Sequence, residues 1–256
     1  MRKYFFRAAV LIAVVAGADA FAEGDGARDL VKKVLDAGPR KSSTAKGSLS
    51  SNRGWTRDLT LSRKYIGDTN AVYIEVTSPQ DVSGTRFLFK EKVEGADEQY
   101  IYIPAVKRVI KVSEETRKQP FLGSDFYVAD LVAPNIDAYD YSFLGDDTVG
   151  DRKAKLVQAL PKDPSKELYS KTIFALDPQD LIVLRMEFFD KAGKPFKVFT
   201  VKKMEKIDGI LTPVEQEMVD LQGSTSSILA VREVNYNAEL PDGMFDRMFL
   251  VQERGS

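Results

Sequence analysis

Alternation of apolar and polar residues along most of the chain constrains the fold more than any other feature of the sequence. Between residues 58 and 236, short segments with a period of two are separated by turn signals such as Asp190-Lys-Ala-Gly-Lys194. A period of two is typical of β-strands with one buried face. The pattern predicts about ten or eleven sequential strands in one antiparallel sheet, and a sheet of that size is expected to curl or close to manage its edges.

Two segments differ from this pattern and are predicted to be helical. Residues 29–37 carry apolar side chains at helical spacing and are followed by a Gly-Pro pair, which indicates a short amphipathic helix. Residues 121–131 are predicted to begin a second helix, which Ser124 or Asp125 would cap and Pro134 would stop. The sequence contains no repeat or linker, and we therefore expect a single domain.

The N-terminus has the pattern of a secretory signal peptide. Arg2, Lys3 and Arg7 precede an apolar run at residues 8–17, and Ala20-Phe21-Ala22 supplies the small-x-small cleavage pattern. A membrane anchor is the alternative, but a spanning helix needs ~20 apolar residues and this run is about half that length. The pattern predicts a cleavable signal peptide over residues 1–22 and an exported, soluble protein.

Composition excludes several classes of site. The chain has no His and no Cys, so it lacks Ser-His-Asp and Cys-His nucleophile systems and every His- or Cys-ligated metal site. A net charge of −1 gives no electrostatic case for nucleic acid. The acidic pair Asp146-Asp147 is interpreted as a solvated turn between strands, and Gly123-Ser124-Asp125 as a turn or helix cap. We therefore expect neither an enzyme nor a cofactor.

Two predicted strands carry large apolar side chains on a single face. Leu184, Met186 and Phe188 share one face of their strand, and Phe87 and Phe89 share one face of an earlier strand. These residues would fill an ordinary barrel core, or they would line an apolar cavity inside a curved sheet. The alternation alone leaves both interpretations open.

Several sequence blocks resemble one protein family. The specific blocks are residues 78–90 (SPQDVSGTRFLFK), 99–109 (QYIYIPAVKRV) and 121–126 (FLGSDF), the last followed by Asp130-Leu131. They resemble the outer-membrane lipoprotein-sorting protein family, a branch of the LolA-like superfamily, and weaker matches continue to residue 245. The family often has Trp where this chain has Tyr100, which bears on the contents of the cavity and not on the fold.

The resemblance implies a mainly β domain at residues 23–256. Its fold would be a strongly curved, incomplete antiparallel β-barrel in which a few helices cover an apolar cavity. It further implies a periplasmic protein that binds the acyl chains of a lipid or lipoprotein and passes it toward the outer membrane, with an RND/MMPL-type exporter of the inner membrane as partner. A sensor module that recognises a lipidated partner without transporting it is the alternative on the same scaffold.

Two sets of residues are predicted to form the binding site. The cavity lining is assigned to the large apolar residues Phe87, Phe89, Leu184, Met186 and Phe188. Residues 121–141 interrupt the strands and are rich in aromatic side chains, and they are predicted to be a moving lid that contacts the cargo through Phe121, Phe126, Tyr127 and Leu131. A helix docked permanently over an ordinary core is the alternative for this segment.

Overall fold

The computed structural model describes residues 26–39, 41–66, 69–92, 97–131, 135–241 and 243–252. The predicted signal peptide, residues 1–22, lies outside these described residues. Within them, no helix has the length and apolar character that a membrane-spanning helix requires.

Within the described residues, thirteen strands form one antiparallel sheet in the order β6-β5-β4-β3-β2-β1-β13-β12-β11-β10-β9-β8-β7. The strands are β1 (Ser43–Ser51), β2 (Trp55–Ile66), β3 (Thr69–Ser78), β4 (Arg86–Lys90), β5 (Glu98–Ile103), β6 (Arg108–Lys111), β7 (Tyr139–Val149), β8 (Arg152–Pro161), β9 (Lys171–Asp177), β10 (Ile182–Phe189), β11 (Pro195–Ile207), β12 (Ile210–Asp220) and β13 (Thr225–Asn235). β6 and β7 are the two edges, so the sheet is not closed. The predicted incomplete antiparallel barrel is confirmed.

The sheet curls around a shared core. Phe87 of β4 and Val157 of β8 are far apart in the strand order, yet they belong to the same buried apolar cluster. We call the face that carries this cluster the inner face. Helix α1 (Gly26–Asp36), which confirms the predicted amphipathic helix, adds Leu30 and Val31 to the same cluster.

The pairing of β1 with β13 joins two meanders, β1–β6 and β7–β13, into one sheet. The sequence pattern did not predict β1 because its segment, STAKGSLSS, is mostly small and polar. Its alternate residues are nevertheless buried, among them Ala45 and Leu49. Gly47 lies at a β-bulge in the β1–β13 ladder, where a Cβ atom would come within 2.4 Å of the Ala230 carbonyl oxygen.

The chain between the two edge strands has to pass from one side of the sheet to the other. We call residues 112–138 the connector. Its regular elements are short: α2 (Glu114–Arg117) and the 3₁₀ turns Phe121–Gly123, Val128–Leu131 and Ile136–Ala138. Two further 3₁₀ turns lie elsewhere, at Pro104–Val106 and Arg247–Val251.

Two local predictions are wrong. Residues 121–131 form two 3₁₀ turns and a tight loop, in which the Phe121 amide donates to the Phe126 carbonyl at 2.7 Å, and they do not form an α-helix. The pair Asp146-Asp147 lies inside β7 and not in a turn, because β7 continues through a β-bulge between Phe143 and Gly145. The two carboxylates pair across strands with Lys155 and Arg185.

The outer face of β3–β6 is covered by the C-terminal segment, residues 240–252. Met244, Phe245 and Leu250 pack on Tyr73 and Leu88 in a second buried cluster. Arg86 pairs with Glu75 at 3.0 Å and donates to the Leu250 and Gln252 carbonyls. β3 and β4 are therefore buried on both faces.

Gly47→Ala tests the importance of the β1–β13 junction. The new Cβ would collide with the Ala230 carbonyl, which is backbone and cannot move aside without separating the strands. We expect a loss of about 1–3 kcal/mol in the free energy of unfolding, measured by urea denaturation. Ser48→Ala, on the same strand, is the matched control and should change stability little. Equal stability of the two variants would contradict a tight junction.

Candidate functional site

The inner face of β7–β13 encloses a cavity of about 140 Å³ beneath the connector. Leu35 of α1 and Phe126 and Leu131 of the connector close it from above. The wall is mainly apolar, and its ring-bearing residues are Phe126, Tyr139, Tyr141, Tyr169, Phe174, Phe188 and Phe199. Such a wall favours apolar ligands, since burial of apolar surface stabilises in rough proportion to area.

The size of the cavity limits what it holds in this closed form. An engineered apolar cavity of ~150 Å³ in another protein accommodates a benzene molecule. The cavity here, at about 140 Å³, matches that volume and has room for a short stretch of hydrocarbon. A complete acyl chain needs more space, which only a displacement of the surrounding elements would create.

The predicted lining residues of β10 are separated by a β-bulge. Met186 and Phe188 line the cavity, together with Val183. Leu184 lies on the opposite face, where it packs with Ala154, Ala175 and Ile182. The register of β10 against β9 shifts between Val183 and Arg185, and this extra residue reverses the alternation. The prediction for Leu184 is therefore corrected.

Phe87 and Phe89 lie on the inner face but not in the cavity wall. Both are buried, and their rings lie parallel with centroids 6.4 Å apart. The ring of Phe121 covers Phe87 at a centroid distance of 4.8 Å. The structure thus places these two residues in a filled part of the core beneath the connector.

The predicted lid residues divide between two roles. Phe126 and Leu131 face the cavity, as the lid hypothesis requires. Phe121 packs on Phe87, and the ring of Tyr127 lies against the ammonium group of Lys197, 3.8 Å from Nζ to the ring centroid. The connector is therefore both a cavity wall and a segment docked on the sheet.

A buried ion pair fixes the connector to β11. The Lys197 ammonium donates to Asp130 Oδ2 at 2.7 Å, and the two side chains are 0% and 4% exposed. Asp130 also accepts from the Tyr127 amide at 2.7 Å and from the Tyr169 hydroxyl at 2.6 Å. The Asp125 carbonyl accepts a further hydrogen bond from Lys197 at 3.3 Å. Such full pairing is what makes a buried charge tolerable.

The electrostatics of this pair follow from its burial. Burial lowers the pKa of Lys197, and the neighbouring Asp130 carboxylate opposes that shift. Burial, reinforced by Asp130, raises the pKa of Tyr169 well above its ordinary value. Tyr169 therefore keeps its proton and remains a hydrogen-bond donor to Asp130 through the physiological pH range.

A second anchor holds the connector to β13. The buried Asp125 carboxylate accepts hydrogen bonds from the Thr225 and Ser227 hydroxyls. The Asp125 amide donates to Ser227 Oγ at 3.1 Å, and the Arg53 guanidinium donates to the Gly123 carbonyl at 2.6 Å. The Ser124 hydroxyl donates to the Phe121 carbonyl and so stabilises the loop itself.

The cavity mouth carries charges of both signs. Glu114 and Arg117 of α2 and the following Lys118 lie on one side, and Lys166 and Glu167 lie on the other. Several of these groups already have partners; Lys118 pairs with Glu115 at 3.0 Å and Lys166 with Asp163 at 2.9 Å. The Glu167 carboxylate accepts from the Tyr139 hydroxyl at 2.5 Å. Because the charges are balanced and paired, the mouth shows no strong preference for one sign of head group.

Sequence reasoning missed Lys197, although its position carried a signal. Lys197, Phe199 and Val201 are alternate residues of β11 and lie on the same face, so a lysine occupies the apolar face of its strand. A lysine in this position requires a buried acidic partner. The block that ends in Asp130-Leu131 contained that partner, but the pairing of residues 67 positions apart is not visible in a local pattern.

Comparisons with known proteins agree with the fold. A family model described as "uncharacterized protein" matches residues 68–252, and no curated protein matches the chain. A DUF1329 family protein from Desulfovibrio piger superposes with a TM-score of 0.83 at 24% identity, covering 90% of this chain and 100% of the other.

Two further solved structures are similar. An outer membrane lipoprotein-sorting protein domain from Vibrio parahaemolyticus has a TM-score of 0.79 at 24% identity, covering 88% of this chain and 98% of the other. A LolA superfamily protein from Nitrosomonas europaea has a TM-score of 0.67 at 16% identity, covering 90% and 100%. At these identities the likeness establishes the fold.

Lys197→Met tests the buried ion pair. The variant leaves the Asp130 carboxylate buried without its cation, and we expect a loss of about 3–5 kcal/mol in the free energy of unfolding, measured by urea denaturation. Adding Asp130→Asn should recover most of that loss, because the unpaired charge is then removed. Lys202→Met, at an exposed position of the same strand, is the matched control and should cost less than about 1 kcal/mol. Equal losses in Lys197→Met and Lys202→Met would contradict an anchoring role.

Proposed function

The chain belongs to the family whose model matches residues 68–252, its fold is that of the LolA-like superfamily, and from these facts we propose that it carries acyl chains of a lipid or lipoprotein. The observation that carries the proposal is the aromatic, apolar cavity enclosed between the curved sheet and the connector. Each methylene that enters such a cavity contributes ~0.8 kcal/mol. An acyl ligand is therefore held without a strong polar anchor.

The connector is the element that moves when cargo is loaded. The closed cavity is too small for a whole acyl chain, and Phe126 and Leu131 of the connector form one of its walls. The described part of the connector consists of short turns, whereas the strands beneath it lie in long antiparallel ladders that are interrupted by β-bulges. Segments of this kind open at lower free energy than a central sheet. The anchors at Asp125 and Asp130 would then be the contacts that open or bend.

The proposal also covers the cellular location of the protein and its partners. The N-terminal pattern over residues 1–22 supports export, and the family resemblance supports a periplasmic protein that binds cargo and performs no catalysis. In this proposal the protein receives its cargo from an RND/MMPL-type exporter and passes it toward the outer membrane. Transfer of labelled lipid between inner- and outer-membrane vesicles tests carriage, because a sensor that only recognises a lipidated partner would bind lipid without accelerating its transfer.

Ala129→Trp tests whether the cavity binds acyl chains. Ala129 lies in the cavity wall on the connector, so an indole there occupies space that the ligand needs. We expect the affinity for a fluorescent fatty acid to fall at least about tenfold, and co-purified lipid, measured by mass spectrometry, to fall with it.

The matched control for this variant is Ala192→Trp. Ala192 is exposed in the turn between β10 and β11, away from the cavity, and the variant should bind like the unmodified protein. Both variants should keep their thermal unfolding temperature within a few degrees. Normal binding by a folded Ala129→Trp protein would exclude this cavity as the acyl site.

Hydrogen exchange tests the movement of the connector. The amides of Phe121 and Val128 are hydrogen-bonded within the connector, and they should exchange faster than amides of β11 and β12 in the lipid-free protein. Addition of fatty acid should slow them selectively, because cargo adds apolar contact to the connector. Protection equal to that of the central strands, with and without lipid, would mean that the connector is permanently docked.

A further inference from the structure

Gln216 is a buried polar residue in the wall of the cavity. It lies in β12, where it shares the inner face with Met218, and it is 1% exposed. The cavity wall includes Gln216 on the side formed by β12 and β13. A glutamine at this position breaks the apolar pattern of its strand, much as Lys197 breaks that of β11.

The hydrogen-bonding capacity of Gln216 is largely unused. Its amide nitrogen donates to the Pro213 carbonyl at 3.5 Å, which is at the outer limit for a hydrogen bond. Among the residues that the structure describes, none donates a hydrogen bond to its amide oxygen, Oε1. A glutamine oxygen accepts up to two hydrogen bonds, so a buried one without a donor is unfavourable.

The residues nearest to Gln216 in the sheet do not supply the missing donor. The residues directly opposite it on the two adjacent strands are Val201 of β11 and Leu229 of β13, and both side chains are apolar. Met218, next along the same face of β12, is apolar as well, and the hydroxyl of the diagonal neighbour Ser227 donates to Asp125. Lys197 is the contrasting case, because its charge is matched by Asp130 and by the Asp125 carbonyl.

We propose that Gln216 recognises a hydroxyl group carried on the acyl chain of the cargo. This inference rests on the proposed function and names the substrate class within it: a hydroxylated acyl chain, whose O–H donates to Gln216 Oε1. The position inside the cavity excludes a polar head group as the donor, because charged head groups belong with the charged residues at the mouth. A neutral hydroxyl also avoids the cost of burying an ionised group beside an uncharged amide.

The test is competition between palmitate and a set of hydroxypalmitates that differ only in the position of the hydroxyl group. For each of these fatty acids, displacement of a bound fluorescent fatty acid is measured on the unmodified protein and on the Gln216→Leu variant. We expect at least one hydroxypalmitate to bind the unmodified protein about tenfold more tightly than palmitate. In Gln216→Leu that preference should disappear while palmitate affinity is kept or improved, because leucine has a similar volume and needs no hydrogen bond.

Gln158→Leu is the matched control, since it makes the same substitution at a half-buried position of β8 that is not part of the cavity wall. It should retain the preference for the same hydroxypalmitate. Circular dichroism and thermal unfolding establish that all variants are folded.

The outcomes separate this inference from the function on which it rests. If palmitate binds but no hydroxypalmitate binds more tightly, or if the preference survives in Gln216→Leu, the assignment of Gln216 is wrong and the carrier proposal stands. If the preference is lost equally in Gln158→Leu, the recognition does not belong to Gln216. If neither palmitate nor any hydroxypalmitate displaces the probe, the acyl-carrier proposal and this inference both fall.

Discussion

The structure depends on one topological constraint: the strands that precede and follow the connector are the two free edges of the same sheet. The chain that leaves β6 and enters β7 lies over the inner face, where Phe126, Val128 and Leu131 belong to the same buried cluster as the sheet residues. The connector therefore covers part of the interior. Side-chain contacts hold it there, and the buried Lys197–Asp130 pair is one of them.

The choice of an ion pair for this contact has a physical consequence. Each of the two charges loses several kcal/mol of solvation free energy when it is removed from water. Their mutual attraction offsets that loss only when the geometry is good and additional hydrogen bonds are made. Here Tyr169, the Tyr127 amide and the Asp125 carbonyl supply those bonds. The pair is therefore specific in position without adding much net stability. A covering segment held in this way has one defined closed state that opens at moderate cost, which suits a carrier that has to release its cargo.

Sequence patterns predicted the sheet well because strand alternation reports burial directly. They failed where alternation is interrupted or absent. The β-bulge in β10 reversed the face of Leu184 relative to Met186, and no local property of the sequence marks that bulge. The first strand was missed because its segment is small and polar, although its pairing with β13 joins the two halves of the sheet. Residues 121–131 were predicted to begin a helix because their local spacing fits one, but their backbone forms 3₁₀ turns and a tight loop, and the Asp130 and Asp125 side chains bond to β11 and β13.

Strand alternation alone did not predict the cavity, since aromatic residues that fill a core and those that line a void have the same pattern; only the family resemblance implied it. What the sequence does contain is residues that break the apolar pattern of the inner face. Lys197 and Gln216 are polar residues at inward positions of their strands, and each demands an explanation that packing alone does not give. The structure provides one for Lys197, whose charge is fully paired. The amide oxygen of Gln216 has no hydrogen-bond donor among the described residues. A polar group that breaks the apolar pattern of its strand and finds no partner inside the protein marks a place where a ligand is expected to supply that partner.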